Sequence, residues 1–155
     1  MNQHWPRWII ASISKHFADR VGTLPLYIEG QKRPTGVKDL LELRMDGPYI
    51  TEESHNYWRL YMEVSVIVQS TMDATDYHRI FRNCGLVASL FTTIQLYKFG
   101  DGPDDAPTET IGCLSLIQDI GKRERIQINH FGILDPSTSL LQSSVEAHYV
   151  THLST

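Results

Sequence analysis

At 155 residues the chain suits one domain spanning 1–155 and leaves little room for a second core. With 41% hydrophobic residues, 21% charged residues and a net charge of −4, it has no basic surplus to grip nucleic acid by neutralising phosphates. A protein that surrounds DNA without holding it is compatible with that balance.

Nothing reaches the ~18 consecutive apolar residues of a membrane span. The start, Met1-Asn2-Gln3-His4-Trp5-Pro6-Arg7, lacks the pattern of a signal peptide. Cys84 and Cys113 are too few for a disulfide framework and are expected as reduced, partly buried thiols of a chain folded in the cytosol.

Taken in chain order, Trp5, Trp8, Ile9, Ile13 and Phe17 recur at three- and four-residue spacing and predict an amphipathic helix over 5–19, with Pro6 tolerated in its first turn and Gly22 beyond its end. Residues 24–29 form a short extended segment, and Pro25 argues for an edge position. A loop over 30–38 follows. Leu41, Leu43 and Met45 alternate with polar neighbours as a strand, which Asp46-Gly47-Pro48 is expected to end as a turn. Residues 51–56 read as a solvated loop.

The longest signal comes next. Trp58, Leu60, Met62, Val64, Val66 and Val68 fall on one side of a strand over 57–69, and Tyr57, Arg59, Tyr61, Glu63, Ser65 and Gln69 on the other, with Ile67 the aliphatic exception. At about 3.3 Å per residue this ribbon spans about 40 Å, against a usual strand of about 5–6 residues. A small domain cannot easily cover it alone, so it is a candidate for pairing or packing in an assembly.

Tyr77, Ile80, Phe81, Cys84, Val87 and Phe91 predict a helix over 76–90, in which Gly85 suggests a close packing contact. Residues 92–99 switch to strand, 100–107 form an acidic loop, and 111–118 and 125–131 are strands joined by the turn Gly121-Lys122-Arg123-Glu124. Asp135-Pro136-Ser137 is a second turn. From Leu141 to Leu153 the chain alternates again as a long C-terminal strand. The order of elements predicts an α+β fold: a mainly antiparallel β-sheet with two α-helices packed on one face, the other face being open to a neighbour.

The residues of chemistry fall short of a catalytic pattern. His148 and His152 on a strand stand about 13 Å apart, too far for one zinc ion. Asp101, Asp104 and Asp105 lack the spacing of a calcium loop. Glu52, Glu53 and His55 read as a polar hairpin tip, and Lys122, Arg123 and Arg125 as a turn decoration. Trp5 and Trp8 read as core. No Gly-x-Ser-x-Gly turn, His-Glu-x-x-His pattern, Cys-x-x-Cys pair or phosphate loop is present, so no enzyme, metal or cofactor is expected.

Several stretches carry a likeness: the first helix with its short strand, the polar run Thr51-Glu52-Glu53-Ser54-His55-Asn56 leading into the long strand, the helix after it, the Gly132-Ile133-Leu134-Asp135-Pro136 turn, and the closing strand Ser143-Ser144-Val145-Glu146-Ala147-His148-Tyr149-Val150. In this the chain resembles the tail terminator (tail completion) proteins of long-tailed, lambda-like bacteriophages. The resemblance implies a structural virion protein of the tail neck, assembled in the host cytoplasm. It would be a homohexameric ring seated on the last ring of tail tube protein, ending tube growth and meeting the head–tail connector. DNA would pass through an acidic lumen without specific binding.

A head–tail connector or tail-tube subunit is the nearest alternative. A small α+β enzyme or ligand-binding domain using His55, His130 or His148 is the distant one. As ring-edge contacts, the loops single out Gln31, Lys32, Arg33, Glu52, Glu53, Asp101, Asp104 and Asp105.

Overall fold

The computed structural model describes residues 1–32, 38–71, 78–101, 106–117, 125–135 and 139–155. It comprises α1 (Trp5–Ala18), β1 (Leu26–Ile28), β2 (Asp39–Ser54), β3 (Tyr57–Thr71), α2 (Arg79–Leu90), β4 (Ile94–Phe99), β5 (Pro107–Ile117), β6 (Ile126–Asp135) and β7 (Leu140–Ser154). The fold is α+β. Its seven strands form one mixed sheet in the order β1-β2-β3-β7-β5-β4, with β6 pairing β7 beside β5. β1 runs parallel to β2, and the other pairings are antiparallel.

The sheet is built around β3, paired along its whole length to β2 on one side and β7 on the other. Its alternation survives intact: Leu60, Met62, Val64, Val66 and Val68 are all 0–1% exposed. In register beside them sit Leu41 and Leu43 of β2 and Val145, Ala147 and Tyr149 of β7. Onto this row α1 lays Trp5, Trp8, Ile9, Ile13 and Phe17, and α2 adds Ile80, Cys84 and Val87, making one core. Each fully buried aliphatic or aromatic side chain contributes about 1.5–3 kcal/mol, so this row outweighs any polar contact of the molecule. Two of its polar intrusions bond to backbone: Tyr149 donates to the Thr92 carbonyl at 2.9 Å, and Trp8 to that of Phe99 at 3.0 Å.

Along the free edge of β7, β5 and β6 follow one another as two pieces of a single line. Residues 115–117 pair with 148–150, and β6 then takes over from Ala147 to Leu140. The earlier part of β5 peels away to pair with β4.

Several expectations need correction. Asp46-Gly47-Pro48 does not end a strand: β2 runs through it to Ser54 by a bulge. Gly47 makes the bulge possible, because its φ of +112° suits glycine and a Cβ there would stand 2.8 Å from the Tyr61 carbonyl oxygen. Residues 51–54 are therefore strand, and the loop shrinks to His55-Asn56, with Asn56 taking the left-handed conformation at φ 60°. Gly132 to Asp135 likewise belong to β6 and not to a turn.

Gly85 makes no close contact, since a Cβ there would meet nothing within 4 Å. Phe81 is 49% exposed because α2 turns only the Ile80-Cys84-Val87 stripe inward. The side of β3 opposite the Leu60-to-Val68 row is not wholly open: Glu42, Ile67 and Ser144, in register across β2, β3 and β7, are buried. The expected helix start at Asp76 and Tyr77, strand end at Gln118, and turns at Gly121-Lys122-Arg123-Glu124 and Pro136-Ser137 lie outside the described residues.

Candidate functional site: the tip, the outer groove and two strand edges

The β2–β3 hairpin ends in a tight tip, because a two-residue connection forces the strands to stay paired to the turn. There Glu52 accepts from the Asn56 backbone N–H at 3.3 Å, and Glu53 meets His152 Nε2 at 3.3 Å. His152 stacks on Tyr57 with ring centroids 5.4 Å apart. The same end of the molecule gathers the start of α1 with Lys98 of β4 and Glu109 of β5, leaving a groove of about 370 Å³ lined by Asn2, Trp5, Lys98, Glu109 and His152 among others. Asp101 joins this end through Arg7, at 3.4 Å, with its own side chain 95% exposed.

Of the residues singled out from sequence, Glu52, Glu53 and Asp101 thus come to one end. Gln31 and Lys32 do not. Gln31 closes the turn after β1 by bonding to Ile28, which sits beside Leu43 midway along the sheet, and Lys32 follows it as an exposed cation. Arg33, Asp104 and Asp105 lie outside the described residues.

On the side of the sheet opposite the buried Leu60-to-Val68 row, a second groove of about 360 Å³ is lined by Glu29, Arg44, Asp46, Glu63, Glu146 and His148, so carboxylates outnumber cations. Tyr61 and His148 are hydrogen-bonded and stacked, with Glu63 at 3.4 Å from the Tyr61 hydroxyl. Tyr49 donates to Asp46 at 2.6 Å, and that bond raises its pKa above the ordinary tyrosine range. His148 and His152 face this side together, each engaged with its own tyrosine.

The histidines named for an enzymatic reading do not converge. His55 lies in the hairpin turn and His148 on the outer groove. His130 sits on β6, bonded to Ser143 at 2.7 Å and edge-on to Phe81. No group of three metal-ligating side chains occurs among the described residues. Cys84 is buried, which raises its thiol pKa, and Cys113 is exposed. No described helix is long and apolar enough to cross a membrane.

Sequence reasoning missed the β6 surface. Ile128, Phe131, Ile133 and Leu134 are 41–60% exposed, and Phe81 and Leu86 of α2 add to the molecule's exposed large apolar side chains. Beyond β7, β6 has no strand partner among the described residues. At the opposite side of the sheet β1 covers β2 only at 41–43, so that among the described residues 44–54 form a second unpaired edge. The signal was available in the apolar run Phe131 to Leu134, which looked like the approach to a turn because Asp135-Pro136 follows.

No family model matches this chain, and no curated protein does. Among solved structures, one protein without a descriptive name is similar at 12% identity, covering 97% of this chain and 95% of the other with a TM-score of 0.49, a likeness too slight to carry an argument about role.

Proposed function

We propose that this chain is a structural subunit of a phage tail neck. Copies assemble into a ring, a homohexamer by the family resemblance, at the head-proximal end of the tail tube. The ring ends tube polymerisation and joins tube protein to the head–tail connector. It is a virion component, not an enzyme. The observation that carries this reading is the pair of strand edges, unpaired among the described residues, on opposite sides of one sheet. A subunit with two different sticky edges makes head-to-tail contacts, and these close into a ring when the rotation permits.

In this reading the helices cover one face of a mainly antiparallel sheet, and the opposite face, with its Glu29, Asp46, Glu63 and Glu146 groove, turns toward the lumen. Carboxylates there repel phosphate, so DNA passes without sticking.

Mass photometry and negative-stain microscopy of the purified protein test the proposal. The expected result is a ring of six 17.7-kDa chains that caps tail tubes. A monomer at every concentration, with tubes present or absent, overturns it. Tubes formed by the chain alone make it a tube subunit instead, and binding to DNA-filled heads makes it a connector.

A further inference from the structure

We infer that β6 of one copy is paired by β1 of the next copy, with the neighbour's Leu26 opposite His130 and its Ile28 opposite Ile128, so that the sheet runs on from subunit to subunit. The inference rests on the ring reading and names its contact.

Direction, level and hydrogen-bonding phase must all agree for such a join. β1 runs parallel to β2, while β2, β3, β7 and β6 are each antiparallel to the next, so β1 and β6 point in opposite directions. A rotation about an axis along the strands keeps both direction and level, and it brings a neighbour's β1 antiparallel to β6. Levels follow from the registers. Leu26 lies in line with Leu41, Val68, Ser143 and His130, and Ile28 with Leu43, Val66, Val145 and Ile128. β2 itself is shielded here, because β1 covers it from Leu41 to Leu43.

The phase also fits. The Leu41 N–H donates to the Pro25 carbonyl at 2.8 Å, and the Glu29 N–H donates to the Leu43 carbonyl at 3.0 Å. Leu41 and Leu43 therefore turn their backbone groups toward β1, and Leu26 and Ile28, which alternate with Pro25 and Glu29, turn theirs outward. Carried across the antiparallel pairs, the same alternation turns Val66 and Val145 toward each other, and Ile128 and His130 away from β7. The outward groups of β1 and β6 thus stand at the same two levels. A slip of one residue would set them against backbone that is already used.

Side chains continue the pattern. Leu26 packs against the core beside Leu41, and Ile28 follows on that side next to Leu43. Ile128, 41% exposed, stands on the same side next to Val145, so Ile28 and Ile128 meet as an apolar cross-strand pair. The neighbour's Pro25 then leads toward Phe131, which is 60% exposed. On the other side the neighbour's exposed Glu29 falls opposite Gln127 and diagonal to exposed Arg125, an attraction that favours this register. Gln31 holds the edge shut in the free chain: its side-chain oxygen accepts from the Ile28 N–H, and its own N–H donates to the Ile28 carbonyl, both at 2.9 Å. Its side chain swings aside when the second rung forms.

The test uses the full chain. Ile128→Glu, at an exposed position, should abolish the oligomer in mass photometry while circular dichroism and melting temperature stay as in the parent protein. Arg125→Glu should weaken association about tenfold, and adding Glu29→Arg should restore it. That charge exchange carries the test should Ile128→Glu misfold. Gln31→Ala should tighten association about fivefold by freeing the Ile28 N–H.

In a Cys113→Ser background, Tyr27→Cys with Asn129→Cys should form disulfide-linked multimeric ladders under mild oxidation. These positions face each other between the hydrogen-bonded rungs, where Cα atoms stand about 4.5 Å apart. Within one chain they lie four strand spacings apart, about 19 Å along the sheet, and cannot close. Dimers from Asn129→Cys alone would reveal two-fold β6 pairing and overturn the inference. A parent oligomer that keeps its affinity through all these substitutions, with no ladder formed, also overturns it but leaves the ring standing. A monomeric parent protein removes both.

Discussion

The β2 and β6 edges of this sheet are built differently, the first on a strand of 16 residues and the second on one of 10. The β2 edge is guarded: Gly47-Pro48 bulges it and removes an N–H, and Asp46, Glu52 and Glu53 charge it. The β6 edge bulges between His130 and Gly132 but carries Ile128, Phe131, Ile133 and Leu134 exposed, with neither proline nor carboxylate before Asp135. Open edges are templates for pairing, and proline, charge and bulges are the usual protections. One edge of this molecule is thus restricted to a short usable stretch. The other is left apolar, as a surface meant to be covered would be.

The contrast can be broken most sharply with two phenylalanines. Phe17 is fully buried and edge-on to Phe91 at 5.1 Å, so Phe17→Ala should cost about 3–5 kcal/mol in urea unfolding. Phe131, 60% exposed, should stay within about 0.5 kcal/mol when changed to Ala in the isolated chain. Equal losses would mean that β6 belongs to the core.

Two bulge glycines give the next test. Gly47→Ala combines a positive φ with a backbone clash and should cost about 1–3 kcal/mol, and more if the bulge cannot shift. Gly132→Ala, at φ +77° with nothing within 4 Å, should cost about 1–2 kcal/mol from backbone conformation alone. Indistinguishable melting temperatures for the two variants would remove the idea that the β2 bulge is the more constrained.

Gly85→Ala should act in the opposite direction, raising stability by about 0.5–1 kcal/mol, since its helical site is open and the helix gains propensity. A loss would show that something packs there.

The smallest effect is a pH dependence that belongs to neither edge. His16 is 5% exposed between the helices, bonded through Nε2 to the Leu90 carbonyl at 2.8 Å, and burial lowers its pKa. Because the unfolded chain takes up the proton first, its contribution to stability should fall as pH drops below 6.5 and level off below the folded pKa. His16→Gln should flatten that part of the melting-temperature profile. An unchanged slope would place the pH dependence elsewhere.

Much of the fold was legible before any coordinates. The β3 alternation holds from Leu60 to Val68 apart from Ile67, which is buried on the other side, because every second side chain of a paired strand must enter the core or leave it. α1 falls within a residue of its expected end, since Asp19 is its C-cap. What was misread involved residues with two uses. Gly47-Pro48 is strong turn chemistry and also good bulge chemistry, and only the presence of β3 opposite decides which.

Phe81 falls at helical spacing with Ile80 and Cys84, yet the width of the stripe that α2 buries depends on how it lies across β3 and β7. For the candidate surfaces, Glu52, Glu53 and Asp101 were singled out by polarity. The β6 edge was not, because exposure of an apolar residue is a property of neighbours and not of spacing.

By itself, the sequence determined the local periods: one helix at each expected place, two long ribbons with one apolar side, and the absence of any catalytic spacing. These follow from short-range geometry, which repeats every two or about 3.6 residues whatever the surroundings. Only the tertiary structure decided which strands became neighbours, where the sheet ends, and that an apolar strand stands at one of those ends with a guarded one opposite. Those features arise from pairing between residues far apart in the chain, and no local pattern encodes which of two similar strands will be left at the rim.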